Sequence, residues 1–322
     1  MYHVRRPEEG ASAMPDIRGV VPIIPIPFKD DESIDDASLR RLVDWAASRG
    51  LGAVCLPAYG SEFYKLSEAD REQVIGIAIE ANAGRVPLLA QANHGSAKIA
   101  AGLAARYEKM GADLVSFAIP RLFGATEEDV LRFCGTIADA VSGSILIQDF
   151  NPGGATIGAS FIAEMRRRHP NFRYAKLEEP MIVDKLVAIR DAIGDDVGVL
   201  EGWGGYYMLE AIPKGVIGIM PGLAYADLLD LIFQARADGQ DERAYDLFAS
   251  ALPMIAFTLQ DMELFLQIEK RMLVRRGLQA TPCMRSITLT PSAETLAHAE
   301  YLTDNLFRVM EREGLQPVVG AD

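Results

Sequence analysis

Short apolar, β-rich runs recur along this chain at Val20–Ile24, Ala53–Leu56, Val86–Ala90, Leu114–Ala118, Ser144–Gln148, Tyr174–Leu177, Val197–Leu200 and Val216–Met220, with longer amphipathic stretches between them. Their starts run from residue 20 to residue 216, a quasi-repeat of roughly 28 residues. Neighbouring strands joined by a helix-sized connection must be parallel, because a hairpin cannot carry such a crossover. Eight βα units of this size predict an α/β chain whose strands close into a (β/α)8 TIM barrel. Helical patterning covers Asp36–Ser48, Glu68–Asn82, Lys98–Met110, Glu127–Ala140 and Val183–Ala192. Ser67 with Asp70 resembles a capping box, and Gly50, Gly84, Gly111 and Gly194 stand where helices should end. A doubly wound open sheet would place a phosphate-binding glycine turn after its first strand. Here that strand runs into Pro22–Phe28, which contains no glycine, so the barrel is favoured.

Ala224–Ala237 supplies the eighth helix, and beyond it only helices are predicted, near 242–252, 254–276 and 291–312. The expected organisation is a mobile N-terminal extension over 1–17, the barrel over 18–240 and a C-terminal helical bundle over 241–322, with 314–322 mobile. Among the 322 residues, 49% are hydrophobic and 24% charged, an ordinary globular composition. A net charge of −13 argues against nucleic-acid or anionic-membrane partners. No apolar run approaches the ~20 residues that span a bilayer, and the first residues lack the apolar centre of a signal peptide. Cys55, Cys134 and Cys283, with His3, His94, His169 and His298, show no metal-ligand spacing, so free thiols and a cytoplasmic location are expected.

In a barrel the reactive groups stand at the C-terminal strand ends and in the loops that follow. Lys176, at the end of strand six, shares one face with Tyr174 and Glu178, while Ala175 and Leu177 take the other. If the aliphatic pair meets the helices, the lysine points into the barrel. An amine removed from water can attack a ketone and form a Schiff base, although a carboxylate on the same face favours the cation. The alternative is a lysine snorkelling from the strand end to pair with Glu178 or Glu179.

Gly19 through Asp35, Gly60-Ser-Glu-Phe-Tyr-Lys-Leu-Ser67, Gly84-Arg-Val-Pro87, Gly111-Ala-Asp113 and the spacing from Asp149-Phe-Asn-Pro152 to Lys176 are similar to the dihydrodipicolinate synthase/N-acetylneuraminate lyase superfamily. The resemblance covers roughly residues 18–310, including the helical tail. It implies a class I enzyme, usually a homotetramer, whose strand-six lysine, Lys176, forms a Schiff base with a small 2-oxo acid without cofactor or metal. The superfamily's Gly-Thr-Thr-Gly-Glu loop corresponds to Ala58-Tyr-Gly-Ser-Glu62. That implies that the Gly60 amide and Ser61 hold the substrate carboxylate and that Glu62 braces the loop.

The family's relay tyrosine is missing, with Pro120-Arg-Leu-Phe123 in its segment, and its Tyr-Asn-x-Pro turn becomes Asp149–Pro152. Proton transfer then falls to Tyr59, His94, Asp149 or Glu178. Gln148-Asp149, Lys176-Leu-Glu-Glu-Pro180, Gly202-Trp-Gly-Gly205 and Gly218-Ile-Met-Pro-Gly222 resemble most the sugar-acid dehydratase branch, typified by L-2-keto-3-deoxyarabonate dehydratase. On that resemblance Arg121 binds a substrate hydroxyl or second carboxylate, Trp203 walls the pocket, and Pro221 and Gly222 shape the last loop. The expected reaction is dehydration of a 2-keto-3-deoxy sugar acid. Four alternatives stay open: aldol cleavage to pyruvate, a synthase-like condensation, metal-dependent enolisation at Asp149, Glu178 and Glu201, and a silent barrel that only binds a 2-oxo acid.

Overall fold

The computed structural model describes residues 16–121, 124–151, 154 and 156–315. Most of both expected mobile ends (1–15 and 316–322), together with Leu122, Phe123 and Pro152, lies outside the described residues. The strands are β1 (Gly19–Val20), β2 (Val54–Leu56), β3 (Leu88–Gln91), β4 (Leu114–Ala118), β5 (Ile145–Asp149), β6 (Phe172–Leu177), β7 (Gly198–Glu201) and β8 (Gly218–Ile219). All pair in parallel in the order β1-β8-β7-β6-β5-β4-β3-β2. Between them run α1 (Asp36–Ser48), α2 (Glu68–Asn82), α3 (Ala97–Met110), α4 (Glu127–Ala138), α5 (Ala159–Arg168), α6 (Ile182–Ile193) and the short α7 (Met208–Ala211), with α8 (Ala226–Ala237) following β8. The capping box of α2 is formed, with the Asp70 amide donating to Ser67 Oγ at 3.1 Å and the Ser67 amide to Asp70 Oδ2 at 3.0 Å.

The barrel closes through the proline-rich continuation of β1. The Val21 and Ile23 amides donate to the carbonyls of Ile219 in β8 and of Pro221 just beyond it at 2.9 and 2.8 Å. On the other side Cys55 donates to the Pro22 carbonyl at 3.1 Å and Ile24 to the Cys55 carbonyl at 2.9 Å. Pro22 has no N–H to give toward β2, which leaves that seam with an isolated bridge at Ile23 and Cys55. Formal pairing of β1 is therefore shorter than the apolar run Val20–Ile24 suggests.

Parity sets what fills the interior. Along β3 to β6 the first inward residues, Leu89, Leu114, Leu146 and Tyr174, belong to the inner apolar cluster. Two positions further on, the inward residues are Gln91, Ser116, Gln148 and Lys176, all buried. The interior thus changes from hydrocarbon at the N-terminal end to polar at the C-terminal end. Ile17 corrects the expectation of a mobile segment through residue 17: it is fully buried and plugs the hydrocarbon end.

Three helices complete the chain: α9 (Asp241–Thr258), α10 (Met262–Arg275) and α11 (Ala293–Arg312). Pro253 lies inside α9, so the break expected at that residue falls instead at 259–261, where Asp261 caps α10 through the amides of Glu263 and Leu264. Burial of Met254 and Ile255 just beyond the proline offsets the hydrogen bond it removes. These helices bury their apolar faces in the same cluster as the barrel helices. Buried Arg276 joins them, forking onto Asp227 of α8 at 2.7 and 3.1 Å and lying 4.7 Å from the Trp45 ring centre.

Candidate active site

The polar end of the barrel opens into a cavity of about 340 Å³. Lys176 reaches it from β6 and is only 4% exposed. Its Nζ lies 2.9 Å from Glu178 Oε1. The other oxygen of Glu178 accepts from Gln148 Nε2 at 3.0 Å, and Gln148 Oε1 accepts from Gln91 Nε2 at 2.6 Å. Four side chains from the ends of three strands therefore converge on one carboxylate: Gln91 donates to Gln148, Gln148 donates to Glu178, and Lys176 donates to Glu178 from the other side. This arrangement fixes a carboxylate beside an amine in a water-poor space. Gln91 stands behind Gln148, outside the cavity lining.

Glycine makes room for this pair. A Cβ on Gly202 would lie 2.4 Å from Lys176 Cε and 2.5 Å from Glu178 Cγ, so only a bare backbone fits at the end of β7. Gly60 likewise faces the cavity, with Ile23 Cγ2 3.0 Å from the place of its missing Cβ. Tyr59 lines the cavity, and the rings of Tyr59, Phe150 and Trp203 form a chain with centroid separations of 5.2 and 6.0 Å. Burial, reinforced by the charge of Glu178, pushes the Tyr59 phenol above its ordinary pKa, which keeps it a proton donor at neutral pH. Pro221 and Gly222 line the opposite wall, where a Cβ on Gly222 would meet Glu269 Oε2 at 2.6 Å. Helices α9 and α10 roof the space with Ile255, Leu259, Met262 and Phe265.

Several predicted site residues brace the cavity instead of lining it. Asp149 corrects its expected catalytic placement. It shares register with Leu177 on the outward face, where Arg121 forks onto it at 2.8 and 2.6 Å and the Ile157 amide donates at 2.6 Å. The same pair spends Arg121, which does not line the cavity. Ser61 is fully buried and donates to the Ile24 carbonyl at 2.6 Å, so its hydroxyl holds the loop against β1. His94 accepts from the Ser96 amide at 2.9 Å, closing the turn after β3, and is absent from the lining. Glu62 braces its loop as expected. It receives Lys65 at 3.0 Å and the buried Nζ of Lys270, which also donates to the Cys283 carbonyl at 3.0 Å.

Glu201 also faces outward, accepting from the Trp203, Gly205 and Tyr207 amides at 3.1, 2.8 and 3.4 Å. Burial lifts its pKa to about 7 despite those donors. With Asp149 and Glu201 both on the outward face, the three carboxylates considered for metal binding do not converge. Among the described residues no group of three His, Cys, Asp or Glu side chains could hold a metal.

The sequence reading missed Gln148, Gln91 and the roof. Strand parity could have found the first, because Gln148 pairs in register with Lys176 and must point the same way. No local signal places residues 255–265 over a strand end some 80 positions earlier in the chain.

A sequence profile of the Dihydrodipicolinate synthetase family matches residues 16–302. L-2-keto-3-deoxyarabonate dehydratase from Azospirillum brasilense is 30% identical over 250 residues, 76% of this chain and 81% of that protein. A probable 5-dehydro-4-deoxyglucarate dehydratase from Bradyrhizobium diazoefficiens is 29% identical over 169 residues, 52% of this chain and 48% of that one. The solved dihydrodipicolinate synthase from Rhodopseudomonas palustris superposes with a TM-score of 0.85 at 24% identity, over 92% of this chain and all of that one. With a profile match across most of its length, dehydratases among its relatives and the same barrel, the chain belongs to the dihydrodipicolinate synthetase family of lyases.

Proposed function

We propose that the protein is a Schiff-base lyase that dehydrates a 2-keto-3-deoxy acid of the sugar-acid type. The observation that carries this reading is Lys176. It is a buried amine at the base of a cavity, a hydrogen bond away from Glu178, with Gly202 cleared to admit it. In the proposed reaction Nζ attacks the C2 ketone and water leaves, giving a protonated imine that serves as the electron sink. Glu178 takes a proton from C3. The C3–H electrons form a C2–C3 enamine while the iminium nitrogen takes up the C=N pair. That pair then returns to remake the iminium, the enamine electrons become the C3–C4 double bond as the C4–O bond breaks, and the hydroxyl departs as water with a proton from Glu178 or Tyr59. Hydrolysis of the imine restores the lysine. No cofactor is required, because the imine itself withdraws the electrons.

Gln148 and Gln91 hold the acceptor oxygen of Glu178 in place, so the base is oriented before substrate arrives. Lys176 is the only cationic side chain that lines the cavity among the described residues. The substrate carboxylate is then left to backbone donors near Gly60. Resemblance to the superfamily extends the proposal to a homotetramer in the cytoplasm.

Borohydride reduction in the presence of pyruvate, followed by mass spectrometry, tests the mechanism. A covalent adduct on Lys176, lost in Lys176→Ala, is expected; an unmodified wild-type lysine overturns it. Product analysis then separates the two bond cleavages. Loss of water with the carbon chain intact supports dehydration, whereas release of pyruvate shows that C3–C4 breaks.

A further inference from the structure

The floor and the rim of the cavity differ in the charge they carry. At the floor Lys176, beside Glu178, is the only cationic side chain of the described lining. At the exposed rim, where α9 gives way to α10, stand Gln260 and Asp261. Gln260 Nε2 donates to the Phe257 carbonyl at 3.1 Å, which leaves Oε1 as an acceptor. Asp261 Oδ1 accepts the Glu263 and Leu264 amides at 2.8 and 3.1 Å, and its Oδ2 takes no hydrogen bond from the described residues. Amides at the start of a helix can hold an anion, but here the protein's own carboxylate fills that place. The rim therefore offers acceptors and a negative charge. A tail hydroxyl can donate to either free oxygen, whereas a tail carboxylate has no proton to give and meets a like charge. The Tyr59 hydroxyl and the Trp203 indole N–H also line the cavity. Both are neutral, so they can serve a hydroxyl but cannot offset a second negative charge.

We infer that this site takes 2-keto-3-deoxy acids with a single carboxylate and a hydroxylated tail, and that Asp261 turns away their dicarboxylic counterparts. The inference rests on the dehydration proposed above and narrows its substrate class from sugar acids in general to the monoacids. Asp261 stands away from the floor where Lys176 reacts, so it acts on specificity and not on the chemical step. Its carboxylate is exposed, and water and salt weaken the repulsion. The preference expected is about tenfold in kcat/KM at low ionic strength.

The test compares acids of equal length and matched configuration that differ only at the last carbon, a hydroxymethyl group against a carboxylate. One pair is 4,5-dihydroxy-2-oxopentanoate with 4-hydroxy-2-oxopentanedioate; the longer pair is 4,5,6-trihydroxy-2-oxohexanoate with 4,5-dihydroxy-2-oxohexanedioate. Each is supplied in every configuration, and kcat/KM is compared within the pair that reacts better. Water loss is followed by mass spectrometry and Lys176 occupancy by borohydride trapping. A higher kcat/KM for the monoacid supports the inference, and the ratio should shrink at about 0.5 M NaCl, where exposed charges are screened. Asp261→Asn keeps a side chain able to cap α10 while removing the charge. It should bring the ratio toward parity, chiefly by lowering KM for the diacid. Equal values, a preference for the diacid, or a ratio unchanged in Asp261→Asn overturn the inference and leave the dehydration reading standing. If no acid gives an adduct or loses water, that reading falls, and this inference with it.

Discussion

Among the described residues two lysines are buried, Lys176 and Lys270; each meets a glutamate, and only one of the two has room to react. Lys176 and Glu178 meet at 2.9 Å beside a cavity, on the barrel's inner face. Lys270 and Glu62 meet on α10, where the amine also donates to the Cys283 carbonyl and sits 4.4 Å from the Phe28 ring centre. Burial pushes the Lys270 pKa below the ordinary lysine value, against the pull of Glu62. Both amines are removed from water, so burial alone does not make a lysine chemically useful. Lys270 is surrounded by partners on every side and anchors the roof helix to the loop after β2. Lys176 has a glycine where a side chain would block it and open volume above, which a substrate can enter.

Substitutions at the two pairs should separate chemistry from anchoring. The largest effect is expected for Lys176→Ala, which should lower kcat by at least about a thousand-fold because no other group can form the imine. Its melting temperature should stay near wild type, and steady-state kinetics with thermal unfolding checks both. Lys270→Met should do the reverse. It should cost about 3 kcal/mol of stability, the lower end for breaking a buried ion pair because Lys65 still neutralises Glu62. Denaturant unfolding measures this, and the folded enzyme should still trap pyruvate on Lys176.

Buried carboxyls stand near both pairs, Glu201 under the Gly202 turn and Glu269 next to Lys270, each with its pKa raised to about 7 from 4.5. A folded pKa above the unfolded value means stability that is fully present below about pH 4.5 and lost as pH rises through 7. For Glu201 the loss approaches ~3 kcal/mol. Melting temperatures from pH 5 to 8 should therefore fall less steeply in Glu201→Gln than in wild type, and equal slopes would contradict this account.

Gly202→Ala sharpens the contrast at the reactive pair. With no room for the added methyl, Lys176 and Glu178 must shift, and kcat/KM should drop about a hundred-fold. The smallest effect is expected for Gln91→Leu, which touches Glu178 only through Gln148. It should lower kcat about tenfold with KM little changed, as fits a positioning residue. A change confined to KM would show that Gln91 supports binding instead.

Much of this was legible in the residues themselves. Asp36–Ser48 and Glu68–Asn82 form helices with the bounds their patterns predict, and Ser67 caps the second as its spacing requires. Lys176 faces inward because Ala175 and Leu177 pack outward, which period-two alternation anticipates. The same alternation puts Asp149 outward, against its expected role in proton transfer. It pairs with Leu177, one step out of phase with Lys176. The hydroxyl of Ser61 and the guanidinium of Arg121 could each have faced a ligand. Only the positions of the Ile24 carbonyl and the Asp149 carboxylate show where they are spent.

The order of short strands and helices, the closed barrel they build and the inward lysine follow from local periodicity, since each depends on residues a few positions apart. The bracing of Glu178 by Gln148 and Gln91, the empty volume above Lys176 and the hydrocarbon roof were settled only in three dimensions. Those features depend on strands from different repeats and on helices encoded far downstream, and the pairwise distances that decide them exist only once the chain has closed on itself.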